Sequence, residues 1–233
     1  MDNSSSIDKL NFYKREDLEK YVKKHYVKAL GLGQEGSCYL LDSGVVIKLF
    51  NYGLDPVFAL KLKDYKNDSF AFPKSGIIIN NSIHAIIMDY IEGKTLKENI
   101  PNDQNLLVLG DHLQVLTNNI RLLSSEGVII KDFFKGNIIY DYKKFTIIDT
   151  NSYLLIPKTD FFEENMYEVM NKLFNYLFSE FSFEKDFEKL KKSRLELLSN
   201  PKKYLEYVKY KVENKSKKEV ITLSDAKKLI LKK

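Results

Sequence analysis

Residues 131–140 read KDFFKGNIIY, and residues 145–149 read FTIID. Asp132 precedes Asn137 by five residues, and Asp149 follows a strand-like run of apolar and β-branched residues. A carboxylate and an amide carbonyl are hard oxygen ligands of the kind that Mg²⁺ binds beside substrate phosphates. A separate carboxylate can accept or orient the proton of an attacking hydroxyl. The stretch therefore indicates phosphate chemistry, although each of these residues alone is also suited to capping a turn.

A glycine-rich segment, GLGQEG, lies upstream at residues 31–36. A dinucleotide-binding fold requires a helix directly after the third glycine. Here residues 37–47 read instead as a strand, a tight turn and a second strand. A glycine-rich β-hairpin suits a flap whose backbone lies over phosphates. The alternative is that the glycines serve turns alone.

Lys48 follows the apolar residues Val45, Val46 and Ile47. A lysine that points inward from an apolar strand must find an anion, because an unpaired buried charge is costly. Phosphates would supply that anion. The alternative for Lys48 is an outward position on an edge strand.

The remaining pattern predicts an α+β fold whose composition changes near residues 91–93. Helical spacing predicts a helix at 15–29, and a short amphipathic stretch lies at 55–66. Alternating patterns predict strands from residue 30 to residue 50 and at 75–80 and 84–91. Beyond Gly93 the pattern predicts helices and one pair of short strands within 136–149. The predicted helices cover 105–127, 164–181, 184–198, 201–213 and 224–232.

The order of these signals resembles the protein-kinase-like superfamily, in particular small bacterial-type Ser/Thr kinase-like proteins, over residues 28–180. Those proteins carry a glycine-rich loop, a strand lysine, a catalytic-loop Asp with an Asn five residues on, and a magnesium-binding Asp. The resemblance implies a two-lobed fold in a single kinase-like domain. Its N-lobe, residues 1–91, would hold a helix and a five-stranded antiparallel sheet. Its C-lobe, residues 92–233, would be mainly helical and carry the catalytic loop.

The resemblance also implies roles for individual residues, with ATP and Mg²⁺ as cofactors. Asp132 would be the catalytic aspartate, and Lys48 would bind the α- and β-phosphates. Asn137 and Asp149 would bind the metal. The remaining residues would contact the nucleotide: Gly31, Gly33 and Gly36 as the flap, Val46 and Ile139 on the two faces of the adenine, Met88 as the gatekeeper, and Asp89 and Ile91 in the hinge.

The implied function is ATP- and Mg²⁺-dependent phosphotransfer to a hydroxyl acceptor, in a protein Ser/Thr side chain or in a small molecule. The sequence departs from the family pattern at three places, and two of them, at 149–151 and 55–68, favour an alternative, a nucleotide-binding pseudokinase that acts as a regulatory or scaffolding module. Ile130-Lys131 stands in place of His-Arg, and Asp149-Thr150-Asn151 lacks the Phe and Gly of the family motif. Residues 55–68 contain no glutamate to pair with Lys48, which leaves Asp64 as a candidate partner.

Composition narrows the possible partners and location. The 233 residues carry a net charge of +5, a mild basic bias that does not indicate nucleic acid. The single cysteine, Cys38, excludes an internal disulfide and a thiolate zinc site. The polar N-terminus predicts no signal peptide, and no apolar run approaches the ~20 residues that span a bilayer. We therefore expect a cytoplasmic protein with no membrane partner.

Overall fold

The computed structural model of this protein describes residues 11–179, 181 and 193–231. These residues form an α+β fold with a largely antiparallel sheet and helices. The chain divides into two compact units. The first unit ends at Ile91 and also includes Asp149–Ser152. The second unit comprises Glu92–Ile148 and the chain from Tyr153 onward.

The first unit is built on a five-stranded antiparallel sheet with the strand order β1-β2-β3-β5-β4. Its elements are α1 (Arg15–His25), β1 (Tyr26–Leu32), β2 (Gly36–Leu41), β3 (Val45–Leu54), α2 (Pro56–Ala59), β4 (Ser75–Ile79) and β5 (Ser82–Asp89). Tight turns connect the strands where the sequence predicts them. Gly44 has a φ of 81° between β2 and β3, and Asn80 and Asn81 have φ values of 50° and 63° between β4 and β5. Two consecutive positive φ angles match the twist of a two-residue hairpin.

Two predicted helices of this unit are shorter than expected. The helix at 15–29 is wrong beyond His25, because Tyr26–Leu32 is a strand that pairs with β2, Tyr26 opposite Leu41. Helical spacing in that segment is overridden by the ladder hydrogen bonds of a neighbouring strand. In the amphipathic stretch at 55–66 only Pro56–Ala59 is an α-helix, and Asp55 caps it by accepting hydrogen bonds from two backbone N–H groups.

Side chains on both faces of the sheet are buried. Leu18 and Val22 of α1 pack with Val45 and Ile47 on one face. Val46 and Phe50 belong to the cluster of the other face, together with Met88. Because successive strand residues point to opposite faces, Lys48 shares the face of Val46 and Phe50. The sheet thereby carries a lysine into an otherwise apolar layer.

The second unit is mainly helical. Its elements are β6 (Lys94–Thr95), α3 (Leu106–Ser125), β7 (Val128–Ile129), β8 (Ile138–Tyr140), β9 (Phe145–Ile147), β10 (Leu154–Leu155), α4 (Phe162–Met166), a π-helical segment (Tyr167–Asn171), α5 (Lys172–Phe178), α6 (Arg194–Leu198), α7 (Pro201–Ser216) and α8 (Leu223–Leu231). The short strands β6, β8 and β9 form one sheet in the order β6-β8-β9, and β7 pairs with β10. Asn105 caps the start of helix α3, and its side chain accepts hydrogen bonds from the N–H groups of Leu107 and Val108.

The helices predicted at 105–127, 201–213 and 224–232 are confirmed apart from their ends, and the helix predicted at 164–181 is present with the π-helical segment in its middle. Residues 180 and 232 of these predictions lie outside the described residues. Of the predicted helix 184–198, residues 184–192 lie outside the described residues, and α6 accounts for the end of it. Within the described ranges, none of the helices combines the length and the apolar composition that crossing a bilayer requires.

Candidate functional site

Lys48 is a buried cation in the first unit, with 4% of its surface exposed. Its Nζ donates hydrogen bonds to Oδ1 of Asp149, to Oδ1 of Asn151 at 3.0 Å and to Oε2 of Glu35 at 3.3 Å. The Phe50 ring lies 5.4 Å from the same nitrogen. Lys48 is therefore directed inward, and the anion that its position requires is supplied by Asp149.

The position of Lys48 follows from the register of β3. Its Cα is opposite Cys38 on β2 and opposite Ile86 on β5, so Lys48 lies on a central strand. The alternative from the sequence, an outward lysine on an edge strand, is wrong for this reason.

The electrostatics of Lys48 correct one expectation from the sequence. The carboxylates paired with Lys48 are Asp149 and Glu35, whereas the sequence suggested Asp64. Burial alone lowers the pKa of Lys48, but the charge of Asp149, its hydrogen bond and smaller contributions from Cys38 and Glu35 outweigh burial. The pKa of Lys48 is consequently raised above its ordinary value, and the ammonium form is favoured.

Asp149 has a φ of 62°, in the left-handed region that non-glycine residues rarely adopt. A 3₁₀ turn follows at Thr150–Ser152, and the Thr150 hydroxyl donates to the carbonyl of Ala71 at 2.9 Å. Lys61 donates to the carbonyl of Asn151 at 3.3 Å. These contacts tie Asp149–Ser152 to the first unit. Strained backbone of this kind is often found at functional sites, where the surrounding structure maintains it.

The three glycines of the flap segment serve different purposes. A Cβ atom on Gly36 would lie 1.9 Å from the carbonyl oxygen of Leu49, so close packing of β2 on β3 requires a glycine there. A Cβ atom on Gly31 would meet nothing within 4 Å, and one on Gly33 would be 3.6 Å from the Gly36 carbonyl. Packing within the protein therefore explains Gly36 and leaves Gly31 and Gly33 open to another explanation, such as the approach of a ligand.

Glu35 was not singled out from the sequence. Its Oε2 accepts hydrogen bonds from Lys48 and from Nδ2 of Asn151, both at 3.3 Å. The turn that carries Glu35 is fixed by Asn51, whose backbone N–H donates to the Glu35 carbonyl at 2.8 Å and whose Nδ2 donates to the Gln34 carbonyl at 2.8 Å. Asn151 was likewise missed, because its contacts with Lys48 and Glu35 span more than 100 residues of sequence.

The residues expected to contact adenine in the first unit lie on β3 and β5 and just after β5. Val46 is opposite Met88 in the ladder, and both side chains are buried. The exposed Asp89 forms an ion pair with Lys74 at 2.6 Å. Ile91 is partly exposed at the end of the unit. The structure thus brings Val46 and Met88 together and leaves Asp89 at the surface.

In the second unit, Asp132 and Asn137 lie on one loop between β7 and β8. Asp132 is exposed and has a φ of 55°. Asn137 is 8% exposed, and its Nδ2 donates to the backbone carbonyl of Asp132 at 3.4 Å. Its backbone N–H donates to the carbonyl of Phe134, and its own carbonyl accepts from Ile148 N–H, each at 2.9 Å. The Asn137 side chain therefore ties the start of the loop to its end, and its amide oxygen is the atom suited to a cation.

Three residues of the helical run that starts at α4 hold the same loop. Asn165 is completely buried and accepts from Ile130 N–H at 2.8 Å. Glu168 accepts from Phe133 N–H at 3.1 Å, and Lys172 donates to the Phe133 carbonyl at 3.3 Å and to Glu168 at 2.7 Å. The i, i+3, i+7 spacing places them on one helix face. That spacing was the available signal, but polar residues on a helix face are usually solvated.

Ile139, the remaining predicted nucleotide contact, is a buried residue of β8 opposite Thr95 of β6. The side chain of Ile139 leaves no room for a larger residue at position 93, because a Cβ atom on Gly93 would lie 2.6 Å from Cγ2 of Ile139. Gly93 has a φ of 140°, which a glycine adopts easily.

Each of the two units offers an oxygen donor of the kind that Mg²⁺ binds. Among the described residues there is no group of three or more His, Cys, Asp or Glu that could hold a metal ion. Mg²⁺ commonly uses one or two protein oxygens and completes its shell with water and phosphate oxygens. Asp149, with 37% of its side chain exposed, offers a carboxylate, and Asn137 offers an amide oxygen.

Comparison with known proteins adds no relative. No protein-family model matches the chain, and no curated protein matches it at a significant level. The functional argument therefore depends on the residues and their geometry.

Proposed function

We propose that this protein is an ATP- and Mg²⁺-dependent phosphotransferase of the protein-kinase-like type. It would transfer the γ-phosphoryl group to a hydroxyl of a protein Ser/Thr side chain or of a small molecule. The observation that carries the proposal is the ion pair between buried Lys48 and Asp149, which are 101 residues apart.

The ion pair supports a functional role because folding alone does not require charges at these positions. Burying two charges costs about as much as their attraction returns, and apolar residues in the same place are often at least as stable. A buried lysine beside a partly exposed carboxylate is, however, the arrangement that nucleotide phosphates and their metal ion require. In the proposal, Lys48 binds the α- and β-phosphates, and the flap of Gly31 and Gly33 lies over them.

The loop of Asp132 supports the transfer step. The acceptor oxygen forms a bond to the γ-phosphorus while the bond from that phosphorus to the β–γ bridging oxygen breaks, and ADP leaves. The acceptor proton passes to the carboxylate of Asp132, which is exposed and so accessible to a substrate. Asp149 and Asn137 would each offer an oxygen to Mg²⁺, and the chemistry that the ion would supply is neutralisation of charge on the phosphate oxygens.

The same proposal gives the two units the roles of kinase lobes in one kinase-like domain. Residues 1–91, with their helices and five-stranded sheet, would form the N-lobe, and the mainly helical residues 92–233 the C-lobe. Helix α4 begins at Phe162, so the segment that follows Asp149 is short. A short segment offers little platform for a peptide, which favours a small or unusual acceptor.

Incubation with γ-labelled ATP and Mg²⁺ against panels of proteins, peptides and metabolites tests the proposal. We expect label transfer by the wild type and by Asp68→Asn, an exposed acid outside the proposed site, and loss of transfer in Asp132→Asn. Nucleotide binding without transfer or hydrolysis would identify a nucleotide-binding pseudokinase instead. Failure of the wild type to bind ATP would contradict both functions.

A further inference from the structure

All three hydrogen-bond donors of Lys48 have acceptors. An ammonium group has three donors, and Asp149, Asn151 and Glu35 each accept one. A phosphate oxygen that approaches Lys48, as the proposed function requires, must therefore replace one of these acceptors. The identity of that acceptor determines how nucleotide enters.

Glu35 is the acceptor that is lost most easily. Its contact with Lys48 is 3.3 Å, against 3.0 Å for Asn151. Half of the Glu35 side chain is exposed, against 37% for Asp149. The Glu35 carboxylate therefore gives up fewer contacts with the protein when it moves fully into water. Asn151 is 6% exposed, and its carbonyl accepts a hydrogen bond from Lys61. Asp149 and Asn151 are thus held in place, whereas Glu35 reaches Lys48 from the surface.

Release of Glu35 requires only a side-chain rotation. The backbone of Gln34 and Glu35 is held by two hydrogen bonds from Asn51, both 2.8 Å long. When the carboxylate leaves, Nζ of Lys48 and Nδ2 of Asn151 both lose the acceptor that they share. Two buried donors then converge on one position, which is suited to an oxygen of another anion.

We propose that Glu35 is an internal substitute for phosphate, which occupies the phosphate position beside Lys48 until a nucleotide displaces it. This inference rests on the proposed function. Because the carboxylate and the phosphates carry the same charge, they exclude each other near Lys48. Glu35 therefore lowers the affinity for polyphosphate nucleotides and has no effect on the affinity for adenosine.

Calorimetry of ATP and of adenosine, each with Mg²⁺, tests the inference in wild type and Glu35→Gln. Glutamine keeps the size of the side chain and removes its charge. We expect Glu35→Gln to bind ATP about two- to fivefold more tightly, the range that an exposed ion pair supports, and to bind adenosine with wild-type affinity. Glu206→Gln, on the exposed face of α7, makes the same change in net charge and should match the wild type.

The outcomes separate this inference from the proposed function. Tighter ATP binding by Glu35→Gln, or ATP binding by that variant alone, supports the inference. Equal or weaker ATP binding by Glu35→Gln, with normal binding by the wild type, overturns it, and weaker binding would mean that Glu35 positions Lys48. If neither protein binds ATP, the proposed function fails and the inference fails with it. The same calorimetry on Glu35→Ala decides the question if the glutamine of Glu35→Gln still accepts a hydrogen bond from Lys48, because alanine cannot form that contact.

Discussion

Lys48 lies on a strand face whose neighbouring side chains, Val46 and Phe50, are apolar. If the lysine binds phosphates, Lys48→Met should weaken ATP binding strongly and adenosine binding little, because only the charged part of ATP loses a partner. Calorimetry with both ligands measures the difference. Lys24→Met removes a charge from the exposed surface of α1 in the same unit and serves as the matched control. Equal losses for ATP and adenosine would show that Lys48 maintains the local fold rather than contacting phosphate.

Cys38, which is opposite Lys48 on β2, gives a chemical test of the same environment. Burial raises the pKa of its thiol to about 11, with Lys48 lowering the pKa and Asp149 raising it by smaller amounts. Only the thiolate reacts with alkylating reagents, so a raised pKa means less thiolate at any given pH. We expect iodoacetamide to modify Cys38 slowly at pH 8 and much faster as the pH approaches 11. Because the chain has one cysteine, intact mass measures the reaction directly.

The result in denaturant provides the control for Cys38. Unfolding removes the burial, so alkylation at pH 8 should then proceed at the rate of an ordinary thiol. Rapid modification of the folded protein at pH 8 would contradict the burial of this strand position. It would also remove the support for a water-poor environment around Lys48.

At the scale of elements, the glycines of the segment 31–36 differ in what surrounds them: Gly36 is packed against β3, whereas Gly31 faces open space. Gly36→Ala should destabilise the protein by about 1–3 kcal/mol, the usual range for overpacking, because its Cβ would clash with the backbone of β3. Gly31→Ala has open space and should leave the free energy of unfolding nearly unchanged while it weakens ATP binding. Urea unfolding and calorimetry on both variants separate these effects. A stable Gly36→Ala variant would be inconsistent with the β2–β3 packing.

Elements that depend on local sequence could be predicted, and those that depend on distant partners could not. The turn at Asn80 and Asn81 follows from their tolerance of positive φ, and β3 follows from its β-branched residues. The first part of strand β1, residues 26–29, was mistaken for part of a helix, because Tyr26 owes its conformation to pairing with Leu41 rather than to its neighbours. Local spacing carries no information about such a pairing.

The residues of the candidate site also divide into those with a local sequence signal and those placed by distant contacts. Lys48 and Asp149 could each be recognised as candidates from the order of the motifs, because each has a recognisable strand beside it, but the sequence suggested Asp64 as the partner of Lys48. Glu35 could not be anticipated, because it is a turn residue between a Gln and a Gly, with no local feature that indicates an ion pair. The support of the Asp132 loop by Asn165 and Glu168 is similarly non-local, since each reaches 35 residues along the chain.

At the scale of the whole molecule, the proposal divides the reaction between the two units, and two variants test that division. Asp149 belongs with Lys48 in the first unit, and Asp132 lies on the loop of the second. Asp149→Ala should abolish the dependence of ATP affinity on Mg²⁺, because it removes the proposed metal carboxylate. Asp132→Asn should leave that affinity unchanged and lower turnover by about 10²–10⁴-fold, the usual contribution of acid–base catalysis.

Calorimetry at several Mg²⁺ concentrations measures ATP affinity, and a turnover assay measures catalysis. Both are applied to both variants, and each result is compared with the division of roles proposed above. Asp149→Ala also leaves Lys48 without its main partner, so its thermal unfolding has to be measured beside its binding. The variant must be folded at the temperature of the assay. If Asp132→Asn lost ATP affinity as Asp149→Ala does, Asp132 would have a metal-binding or structural role. If Asp132→Asn kept wild-type turnover, the acceptor proton would go elsewhere, and the loop held by Asn137 and Asn165 would not be the catalytic loop.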